Sequence, residues 1–499
     1  MSKETLNVSV IIPVYNNGLY LRETLQSLEK QILKKFEVIV VNDGSSDNSE
    51  EIIDEFVKRD QRFKKISQKN QGVSAARNAA LEIAKGTYVT FVDGDDTLPE
   101  NSLQAMNQVA VNTNAELVIG GIQRVDGFTK KVNQRVEKLG TKQKILKDDL
   151  DLVHGLSLCN KWFLKEIIDE HHLRLEKFRH LEDGVFLYNF LQYANEIQYC
   201  DVIVYNYLKR VPTITGSVTQ KVEKGLLESA ISAFERLQEL TVNYSEEFQQ
   251  ELAYRINSTT FIGDYYKKIW YLDKTTEQLL ITYVNRIWES QSEDHKARTL
   301  SSHPGLKMDQ GLQDKEALLE NTIFTIVICP IVSREKINVI LKSIYGQAMP
   351  AFQVILDESY RRYIDHTFLG MKNITFVSLG ITQQEWLDFS WQIKNTRYVV
   401  YIDQDVIFDH DALSKTYKAF KAKKYEALKM RVIQSVKLIG LAGFVFDINS
   451  KRTDEKFDCP TQKDAWLISM QDMDRVEELT RPTKLEKIKH VIKKIIKRR

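Results

Sequence analysis

A dense group of carboxylates follows an apolar run in the segment TYVTFVDGDDTLPEN. The β-prone residues predict a buried strand, and Asp93, Asp95 and Asp96 stand where that strand would end. Because neighbouring carboxylates repel one another, such a group is favourable when it binds a cation, and oxygen ligands prefer Mg²⁺ or Mn²⁺. The alternative is an Asp-rich turn in which Asp96 or Thr97 caps a helix that begins near Pro99.

Two further predicted strands end in residues that suit a nucleotide. The segment VSVIIPVYNN places Pro13 and Tyr15 at one strand end, and FEVIVVNDGSSD places Asp43 at another. Because parallel strands end at one edge of a sheet, these groups would meet the carboxylates in one crevice. A flat ring and an acceptor carboxylate suit a nucleobase, by stacking and by accepting an N–H group. Arg77, in NQGVSAARNAAL, lies on or before a helix, where its cation could meet a pyrophosphate or steady Asp95.

The segments around these residues alternate between strand and helix patterns. From residue 8 to about residue 125, short apolar runs alternate with helical stretches of about 10 to 15 residues. This alternation predicts βαβ crossovers and a mainly parallel sheet covered on both faces, in an α/β domain that spans residues 1–219. Helical periodicity then predicts a helical connector over 220–321, after which FTIVICPIVS begins a second, smaller α/β domain over 322–475.

The second α/β segment repeats the first in sequence. Equivalent residues recur at offsets of 316 and 310 residues: Ser27 and Gln31 match Ser343 and Gln347, and Tyr88, Asp93, Asp95 and Leu103 match Tyr398, Asp403, Asp405 and Leu413. A strand, a carboxylate pair and a following helix that recur in the same order predict two copies of one unit.

Four motifs of the first copy, VSVIIPVYNN, VVNDGSSD, NQGVSAARNAAL and FVDGDD, stand in a defined order and spacing. In these motifs the sequence, over about residues 7–215, resembles glycosyltransferase family 2, the inverting nucleotide-sugar transferases with the Rossmann-like GT-A fold. The resemblance implies that Pro13, Tyr15 and Asp43 line the uridine site. It also implies that the two aspartates of DGD form the DxD element, with Asp95 closest to the metal ion.

Inverting transfer also needs a base that takes the proton of the acceptor hydroxyl. Glu182 and Asp183, in FRHLEDGVFLYNF, look like the family's ED motif, whose aspartate acts as the base. Alternatively, both are first-turn carboxylates that favour a helix dipole. Asn160 and Lys161, in LCNKWF, are candidates for the border of the acceptor site or form a solvated turn. Arg210 precedes VPTITGSVT, which could be a lid over the phosphates or a plain linker.

The second copy departs from the family pattern. Val332 stands at the position equivalent to Tyr15, and Leu387 stands at the position equivalent to Arg77. The position equivalent to Asp43, the aspartate predicted to contact the nucleobase, is Ser359. The carboxylate pair is retained as Asp403 and Asp405. We therefore predict a degenerate GT-A-like domain that serves acceptor binding or assembly. A bifunctional transferase with two active domains is the alternative.

Bulk composition restricts the class of protein. A chain of 499 residues is too long for one core, and a net charge of +2 provides no field that would attract nucleic acid. The four cysteines form no CxxC pair, which argues against a zinc site or a disulfide framework and favours a reducing cytoplasm. No window approaches the roughly 18 apolar residues of a membrane span, and the N-terminus lacks a signal-peptide pattern. We expect a cytoplasmic protein without an integral membrane segment.

The last residues, 476–499, contain a basic amphipathic pattern, TKLEKIKHVIKKIIKRR. One helical face is shared by Leu485, Ile488, Ile492 and Ile495. Between Lys484 and Arg499 there are eight Lys or Arg residues and one Glu. The pattern predicts a helix that binds anionic membrane surfaces and holds the protein at the inner face of the cell membrane. A solvated terminal helix is the alternative.

The resemblance to glycosyltransferase family 2 implies a hexosyltransferase that moves a sugar from a UDP-sugar to a hydroxyl group of a bacterial cell-surface glycan, a lipid-linked glycan or a glycoprotein. We expect Mn²⁺ or Mg²⁺ as the cofactor and no nucleic-acid partner. The alternative is a protein that is not an enzyme: a scaffold that binds glycan or nucleotide through a relic active site. The sugar, the linkage and the oligomeric state do not follow from the sequence.

Overall fold

The computed structural model describes the larger part of the chain. The described residues are 6–126, 132–135, 144–145, 147, 149–209, 224–303, 306, 308, 311–320, 322–328, 330, 332, 334–346, 350–378, 398–402, 407–408, 413, 427–429, 432–433 and 444–447. The chain divides into two compact units, Met1–Tyr265 with Leu272–Thr299, and Tyr266–Tyr271 with Leu300–Arg499. The helices of the predicted connector are divided between both units, and the predicted domain bounds at 219, 321 and 475 stay predictions.

The first unit contains a sheet and the helices that cover it. Its elements begin with β1 (Val8–Val14), α1 (Gly18–Glu29), β2 (Phe36–Asn42), α2 (Ser49–Arg59), β3 (Phe63–Ser67), α3 (Val73–Ile83), β4 (Tyr88–Phe91), α4 (Ser102–Thr113), β5 (Leu117–Asp126), β6 (Val132–Arg135), β7 (Lys144–Ile145), α5 (Leu150–His154), β8 (Lys161–Leu164), α6 (Lys165–Glu170), α7 (Glu182–Leu191) and β9 (Ile197–Lys209). Further helices are α8 (Lys224–Leu240), α9 (Glu246–Ile256), a π-helix (Asn257–Tyr265), α10 (Lys274–Ser290) and α11 (Glu293–Ser302).

The sheet of the first unit is built around parallel strands. Its order is β3-β2-β1-β4-β8-β5-β9-β7, and β6 pairs with β5. β3, β2, β1 and β4 are mutually parallel, and every residue of β2 and β4 is buried, as expected for strands covered on both faces. The predicted α/β fold class is confirmed. Because β1, β2 and β4 run in one direction, the segments after their carboxyl ends lie at one edge of the sheet.

Helix α1 illustrates how periodicity places a helix on this sheet. Leu21, Leu25 and Leu28 recur at the spacing of one helical face, and all three are buried in the core of the first unit. Burying each leucine stabilises the fold by about 1.5–3 kcal/mol. Thr24 is buried on the same face, and its carbonyl oxygen accepts a hydrogen bond from the Ser27 hydroxyl at 2.7 Å.

The second unit contains a smaller sheet. Its strands are β10 (Phe324–Ile328), β11 (Phe352–Asp357), β12 (Ile374–Val377), β13 (Tyr398–Ile402), β14 (Ile407–Phe408), β15 (Ala427–Lys429), β16 (Val432–Ile433) and β17 (Phe444–Asp447). Its helices are α12 (Lys315–Glu320), α13 (Ile337–Tyr345), α14 (His366–Leu369) and the 3₁₀-helices Tyr266–Tyr271 and Glu358–Tyr363. One sheet has the order β12-β11-β10-β13-β17-β15, and β14 pairs with β16.

Strand registers in the two units are equivalent. In each unit the first strand pairs in parallel with the second strand on one side and with the fourth on the other. Three pairs of residues occupy matching registers: Val8 and Phe324, Phe36 and Phe352, and Tyr88 and Tyr398. The members of these pairs are separated by the offsets of 316 and 310 residues that relate the two sequence segments.

The helices that follow the first strands are equivalent too. The buried face of α13 includes Ile337, Ile340, Leu341 and Ile344, each 316 residues after a buried residue of α1. Ser343 repeats the hydrogen bond of its counterpart in α1, because its hydroxyl donates to the Ile340 carbonyl at 2.7 Å. Sheet order, register and helix packing support the predicted duplication of one α/β unit.

Several predicted features lie outside the described residues, namely Arg210, the carboxylates Asp403 and Asp405, and the basic tail 476–499. Leu387 of the second copy lies outside them as well. Within the described ranges, no helix has the length and apolar character needed to cross a membrane.

Candidate active site

The segment after β1 presents an aromatic ring to solvent. Tyr15 is 50% exposed, and Pro13 is partly buried near the end of the strand. The chain turns at Asn16, whose φ of 52° lies in the left-handed region that asparagine tolerates better than most residues. The Asn16 side-chain oxygen accepts the Ser46 backbone N–H at 2.7 Å, which ties this turn to the segment after β2. The ring predicted to stack on a nucleobase is therefore accessible at the edge of the sheet.

Asp43 follows β2 and is buried, with 3% of its surface exposed. Its carboxylate accepts the backbone N–H groups of Gln71 at 2.9 Å and Gly72 at 2.8 Å. It also accepts the Gln68 side-chain amide at 2.7 Å. Gly72 has a φ of 91°, a conformation that favours glycine over residues with a Cβ atom. Asp43 therefore holds the loop that leads into α3, a role that the sequence did not predict.

Arg77 of α3 joins two carboxylates that are distant in the sequence. Its Nη1 lies 2.6 Å from Oδ1 of Asp183, and its Nη2 lies 3.0 Å from Oδ1 of Asp93. Glu182 Oε1 lies 3.7 Å from the same Nη1. Arg77 thus contacts Asp93 of the DxD segment, and its predicted roles toward a pyrophosphate or Asp95 stay predictions. One guanidinium brings the DxD segment and the ED segment into a single cluster.

The electrostatics of this cluster favour the charged form of Arg77. Only 3% of its side chain is exposed. Burial alone would lower the pKa of Arg77, but the charges of Asp183 and Asp93 outweigh burial and raise it. Removing the guanidinium would leave these two partly exposed carboxylates without the cation that joins them.

Asp96 is buried and hydrogen-bonded to strand β9. Its Oδ1 accepts the Leu208 N–H at 2.7 Å, and its Oδ2 accepts the Tyr205 hydroxyl at 2.7 Å. The Tyr205 oxygen in turn accepts the Asp93 N–H at 3.1 Å. Burial, and then the charges of Asp95 and Asp93, raise the pKa of Asp96. The alternative of a helix cap at this position is wrong, because α4 begins farther along the chain and Asp96 contacts β9 instead.

Helix α7 begins at the candidate base. Glu182 and Asp183 occupy its first turn, where the helix dipole favours negative charge. The preceding Leu181 has a φ of 65°, a left-handed conformation that costs a residue with a Cβ atom about 1–2 kcal/mol. Asp183 Oδ2 accepts the Leu158 N–H at the long distance of 3.4 Å. Backbone strain thus occurs next to the two carboxylates, as is frequent at functional sites.

Glu182 holds its proton more tightly than an ordinary glutamate. Burial, followed by the charge of Asp183, raises the pKa of Glu182 to about 7, and Arg77 opposes this increase. Only 16% of the Glu182 side chain is exposed. Glu182 can therefore exchange a proton near neutral pH, next to the carboxylate predicted to act as the base.

Asn160 and Lys161 are each 1% exposed, so the solvated-turn alternative for them is wrong. Asn160 Nδ2 donates to the Gly120 carbonyl at 2.6 Å. Lys161 Nζ donates to the Ser157 carbonyl at 2.6 Å and to Asn160 Oδ1 at 3.0 Å. These bonds connect β8 to β5 and to the segment before β8, and a role of both residues at the acceptor stays a prediction.

Sequence reasoning missed two residues that adjoin the carboxylates, Tyr205 and Cys159. Burial, followed by the charges of Asp93 and Asp183, raises the pKa of the Cys159 thiol, so it stays protonated. The available signal for Tyr205 is its place in the apolar run VIVY of β9, which is typical of a buried strand. No local pattern in the sequence marks Cys159.

The carboxylates after β4 fit a metal ion that substrate phosphates help to bind. The Asp93 side chain is 38% exposed, and Asp95 is partly exposed. In the part of the chain that the structure describes, no group of three or more His, Cys, Asp or Glu residues is arranged to hold a metal ion. One or two carboxylates are the usual protein contribution to a Mg²⁺ site at which substrate phosphates and water complete the coordination. Asp93 and Asp95 meet that requirement.

Comparisons with known proteins find relatives of the part of the chain that holds most of this site. The family model described as Glycosyl transferase family 2 matches residues 9–171, which include Tyr15, Asp43, Arg77 and Asp93. The chain is 31% identical over 260 residues to the Putative glycosyltransferase EpsH of Bacillus subtilis (strain 168), a match that covers 50% of this chain and 74% of EpsH.

Two staphylococcal proteins are also similar. The chain is 32% identical over 188 residues to the Poly(ribitol-phosphate) beta-N-acetylglucosaminyltransferase TarP of Staphylococcus aureus (strain N315), a match that covers 37% of this chain and 57% of TarP. A crystal structure of S. aureus TarS 1-349 in complex with UDP-GlcNAc is 23% identical to this chain. That match covers 58% of this chain and 83% of the other, with a TM-score of 0.47.

Proposed function

Because the chain belongs to glycosyltransferase family 2, we propose that it is an inverting, metal-assisted enzyme that moves a sugar from a UDP-sugar to an acceptor hydroxyl group. The acceptor is a bacterial cell-surface glycan, a lipid-linked glycan or a glycoprotein. A relative named as a poly(ribitol-phosphate) beta-N-acetylglucosaminyltransferase supports a glycan. The observation that carries the proposal is the Arg77 cluster, in which one guanidinium lies 3.0 Å from Asp93 and 2.6 Å from Asp183. This cluster brings the proposed metal-binding segment close to the proposed base, an arrangement that transfer requires.

The edge formed by β1, β2 and β4 would receive the donor. Tyr15 offers an exposed ring to the uracil, Pro13 lies beside it in the chain, and Asp43 has carboxylate oxygens that can accept a further N–H. From there the diphosphate would extend toward Asp93 and Asp95 after β4. A divalent cation, Mn²⁺ or Mg²⁺, held by these two carboxylates would offset the charge that develops on the departing diphosphate.

Asp183 is the base in this proposal. Its Oδ1 is bound by Arg77, whereas its Oδ2 has the long contact of 3.4 Å with the Leu158 N–H, so Oδ2 can accept the proton of an acceptor hydroxyl. As the acceptor oxygen bonds to the anomeric carbon, the bond from that carbon to the UDP oxygen breaks on the opposite face. The proton passes to Asp183, and the configuration of the anomeric carbon is inverted.

One observation supports a single nucleotide site rather than two. In the second unit the 3₁₀-helix Glu358–Tyr363 follows β11, and the Tyr360 side chain is completely buried. Its hydroxyl donates to the carbonyl of Val332 at 2.6 Å. Val332 stands where the first copy has Tyr15. Tyr360 thus joins the segment after β11 to the segment after β10, where the first copy has its proposed nucleobase residues. We take this contact as support for a noncatalytic second copy over a bifunctional enzyme.

The C-terminal stretch 476–499 would hold the enzyme near a membrane-bound acceptor. It lies outside the described residues, but its sequence combines an apolar face with eight Lys or Arg residues between Lys484 and Arg499. Each basic residue near an anionic membrane surface contributes about 1 kcal/mol of attraction. A peripheral location at the inner face of the cell membrane is therefore part of the proposal.

Transfer assays with the purified chain test this function. UDP release is measured with a panel of UDP-sugars and Mn²⁺ or Mg²⁺, with and without excess chelator, and also without acceptor to detect hydrolysis. Asp183→Asn retains the shape of the side chain but not the proton acceptor, so turnover should fall by roughly 10²- to 10⁴-fold while UDP-sugar binding persists. Asp201→Asn changes an exposed aspartate of β9 and, as the matched control, should keep wild-type turnover.

Three outcomes would contradict the proposal. Wild-type turnover by Asp183→Asn would place the base elsewhere. UDP-sugar binding without any UDP release by the wild-type chain would favour the noncatalytic scaffold. Retention of the anomeric configuration, read from the NMR spectrum of the product, would refute the inverting mechanism.

A further inference from the structure

Tyr207 of β9 lies on the same face of the strand as Tyr205, because side chains alternate between the two faces. Tyr205 is 1% exposed, and its hydroxyl binds the Asp96 carboxylate and the Asp93 N–H. This face is therefore the one turned toward the carboxylates. Tyr207, nearer the end of the strand, is 47% exposed. It presents an open aromatic ring next to the proposed metal-binding segment.

The backbone around Tyr207 is held against the carboxylate turn. Asn206 and Thr97 exchange two backbone hydrogen bonds, of 2.8 and 3.2 Å. The Leu208 N–H donates to Asp96 Oδ1 at 2.7 Å. Because the residues on both sides of Tyr207 are held, its backbone needs little ordering when a ligand binds, and this preorganisation favours affinity.

The hydroxyl of Tyr207 stays protonated at neutral pH. Burial, and then the charges of Asp96, Asp95 and Asp93, raise the pKa of Tyr207 to about 12. Nearly half of the residue is exposed, so Tyr207 is accessible to a ligand. Tyr207 thus combines an apolar face with a hydrogen-bond donor.

The order of the sheet places Tyr207 on the acceptor side of the carboxylates. The proposed nucleotide residues follow β1 and β2, on one side of β4, whereas β8, β5 and β9 lie on its other side. In an inverting displacement the acceptor approaches the anomeric carbon from the side opposite the nucleotide. The ring of Tyr207 therefore lies on the side from which the acceptor arrives.

We propose that Tyr207 is the platform on which a pyranose ring of the acceptor stacks, an inference that rests on the proposed transferase function. A pyranose ring carries C–H groups on its faces and hydroxyl groups at its rim. An open tyrosine ring packs against the C–H face, and the tyrosine hydroxyl bonds to the rim. The acceptor class is therefore a glycan with a sugar ring at or beside its reactive hydroxyl.

Kinetics with simple glycosides test this platform. The probes are p-nitrophenyl glycosides, supplied as acceptors together with the UDP-sugar that the wild-type chain cleaves. Tyr207→Ala should raise the KM for the glycoside by roughly tenfold, while the Kd for UDP in the presence of Mn²⁺ stays within about twofold. Tyr207→Phe keeps the ring, so its KM should stay within about threefold of wild type. Tyr193→Ala is the matched control, because Tyr193 is 41% exposed and stacks on His171 instead.

Each possible result tests either the Tyr207 platform or the proposed transferase function on which it rests. An unchanged glycoside KM in Tyr207→Ala refutes the platform, and a parallel weakening of UDP binding refutes it by assigning Tyr207 to the donor. A wild-type chain that cleaves UDP-sugar but transfers to no glycoside also refutes the platform, and leaves the donor site of the proposed function intact. A wild-type chain that neither cleaves nor transfers refutes the proposed function and this inference with it. Equal melting temperatures of variants and wild type establish that the variants are folded.

Discussion

Glu182→Gln should make the stability of the protein less sensitive to alkaline pH. The pKa of Glu182 is raised from 4.5 to about 7, chiefly by burial and then by the charge of Asp183. The folded state therefore binds this proton more tightly than the unfolded state does. Below about pH 4.5 the carboxyl group is protonated in both states, and its stabilising contribution is fully present. That contribution is lost as the pH rises through about 7, because the folded protein must then hold a charged carboxylate in a buried position.

The size of the effect can be calculated from the difference in pKa. One pKa unit corresponds to about 1.4 kcal/mol, so a shift from 4.5 to about 7 corresponds to roughly 3 kcal/mol. Glutamine has a similar shape but no charge, so the variant does not lose this stability. Relative to wild type, the free energy of unfolding of Glu182→Gln should therefore rise by about 3 kcal/mol between about pH 4.5 and about pH 8.

Thermal unfolding of wild type and variant over this pH range measures the effect. In a domain of a few hundred residues, about 1 kcal/mol corresponds to roughly 2 °C in melting temperature. The melting temperature of Glu182→Gln, relative to wild type, should thus rise by roughly 6 °C from the acidic to the alkaline end. Glu246→Gln is the matched control, because Glu246 is an exposed first-turn glutamate of α9 and its loss should produce no such slope.

A difference in melting temperature that is constant over pH would refute the raised pKa of Glu182. Asp183→Asn provides an independent check, because it removes the second cause of the raised pKa. The pKa of Glu182 should then fall, and the stability of that variant should decline less steeply with pH than that of wild type. A steeper decline would show that Asp183 stabilises the charged form of Glu182.

The carboxylates of the two copies should differ in importance. Asp95→Ala should abolish metal-dependent transfer across a Mn²⁺ titration, because the proposed ion loses a ligand, whereas Asp405→Ala should leave the initial rate near wild type. Equal losses in both variants would favour two active domains. Truncation after Pro482 removes the apolar and basic residues of the tail, so co-sedimentation with anionic liposomes should fall. Undiminished co-sedimentation would exclude the tail as the membrane contact.

The sequence alone determined strands β1, β2 and β4 of the first unit and the residues at their ends. Run length and composition identify β1, β2 and β4, because a parallel strand covered on both faces must be apolar along most of its length. These patterns place Tyr15, Asp43 and Asp93 just after the strands, where the structure has them. The offsets between the two segments also anticipated the equivalent registers of the two sheets, since register depends on where the apolar residues of each strand stand.

Only the tertiary structure decided which of these groups meet. Arg77 contacts Asp183, which is 106 residues away, and no local pattern encodes that pairing. The binding of Asp96 by Tyr205 and the burial of Lys161 likewise depend on strands that are distant in the sequence. Hydrophobic periodicity reports which face of an element is buried, and it does so from neighbouring residues alone. Hydrogen bonds and ion pairs instead require atoms of separate elements to lie within a few ångströms, a condition that exists only after the chain has folded.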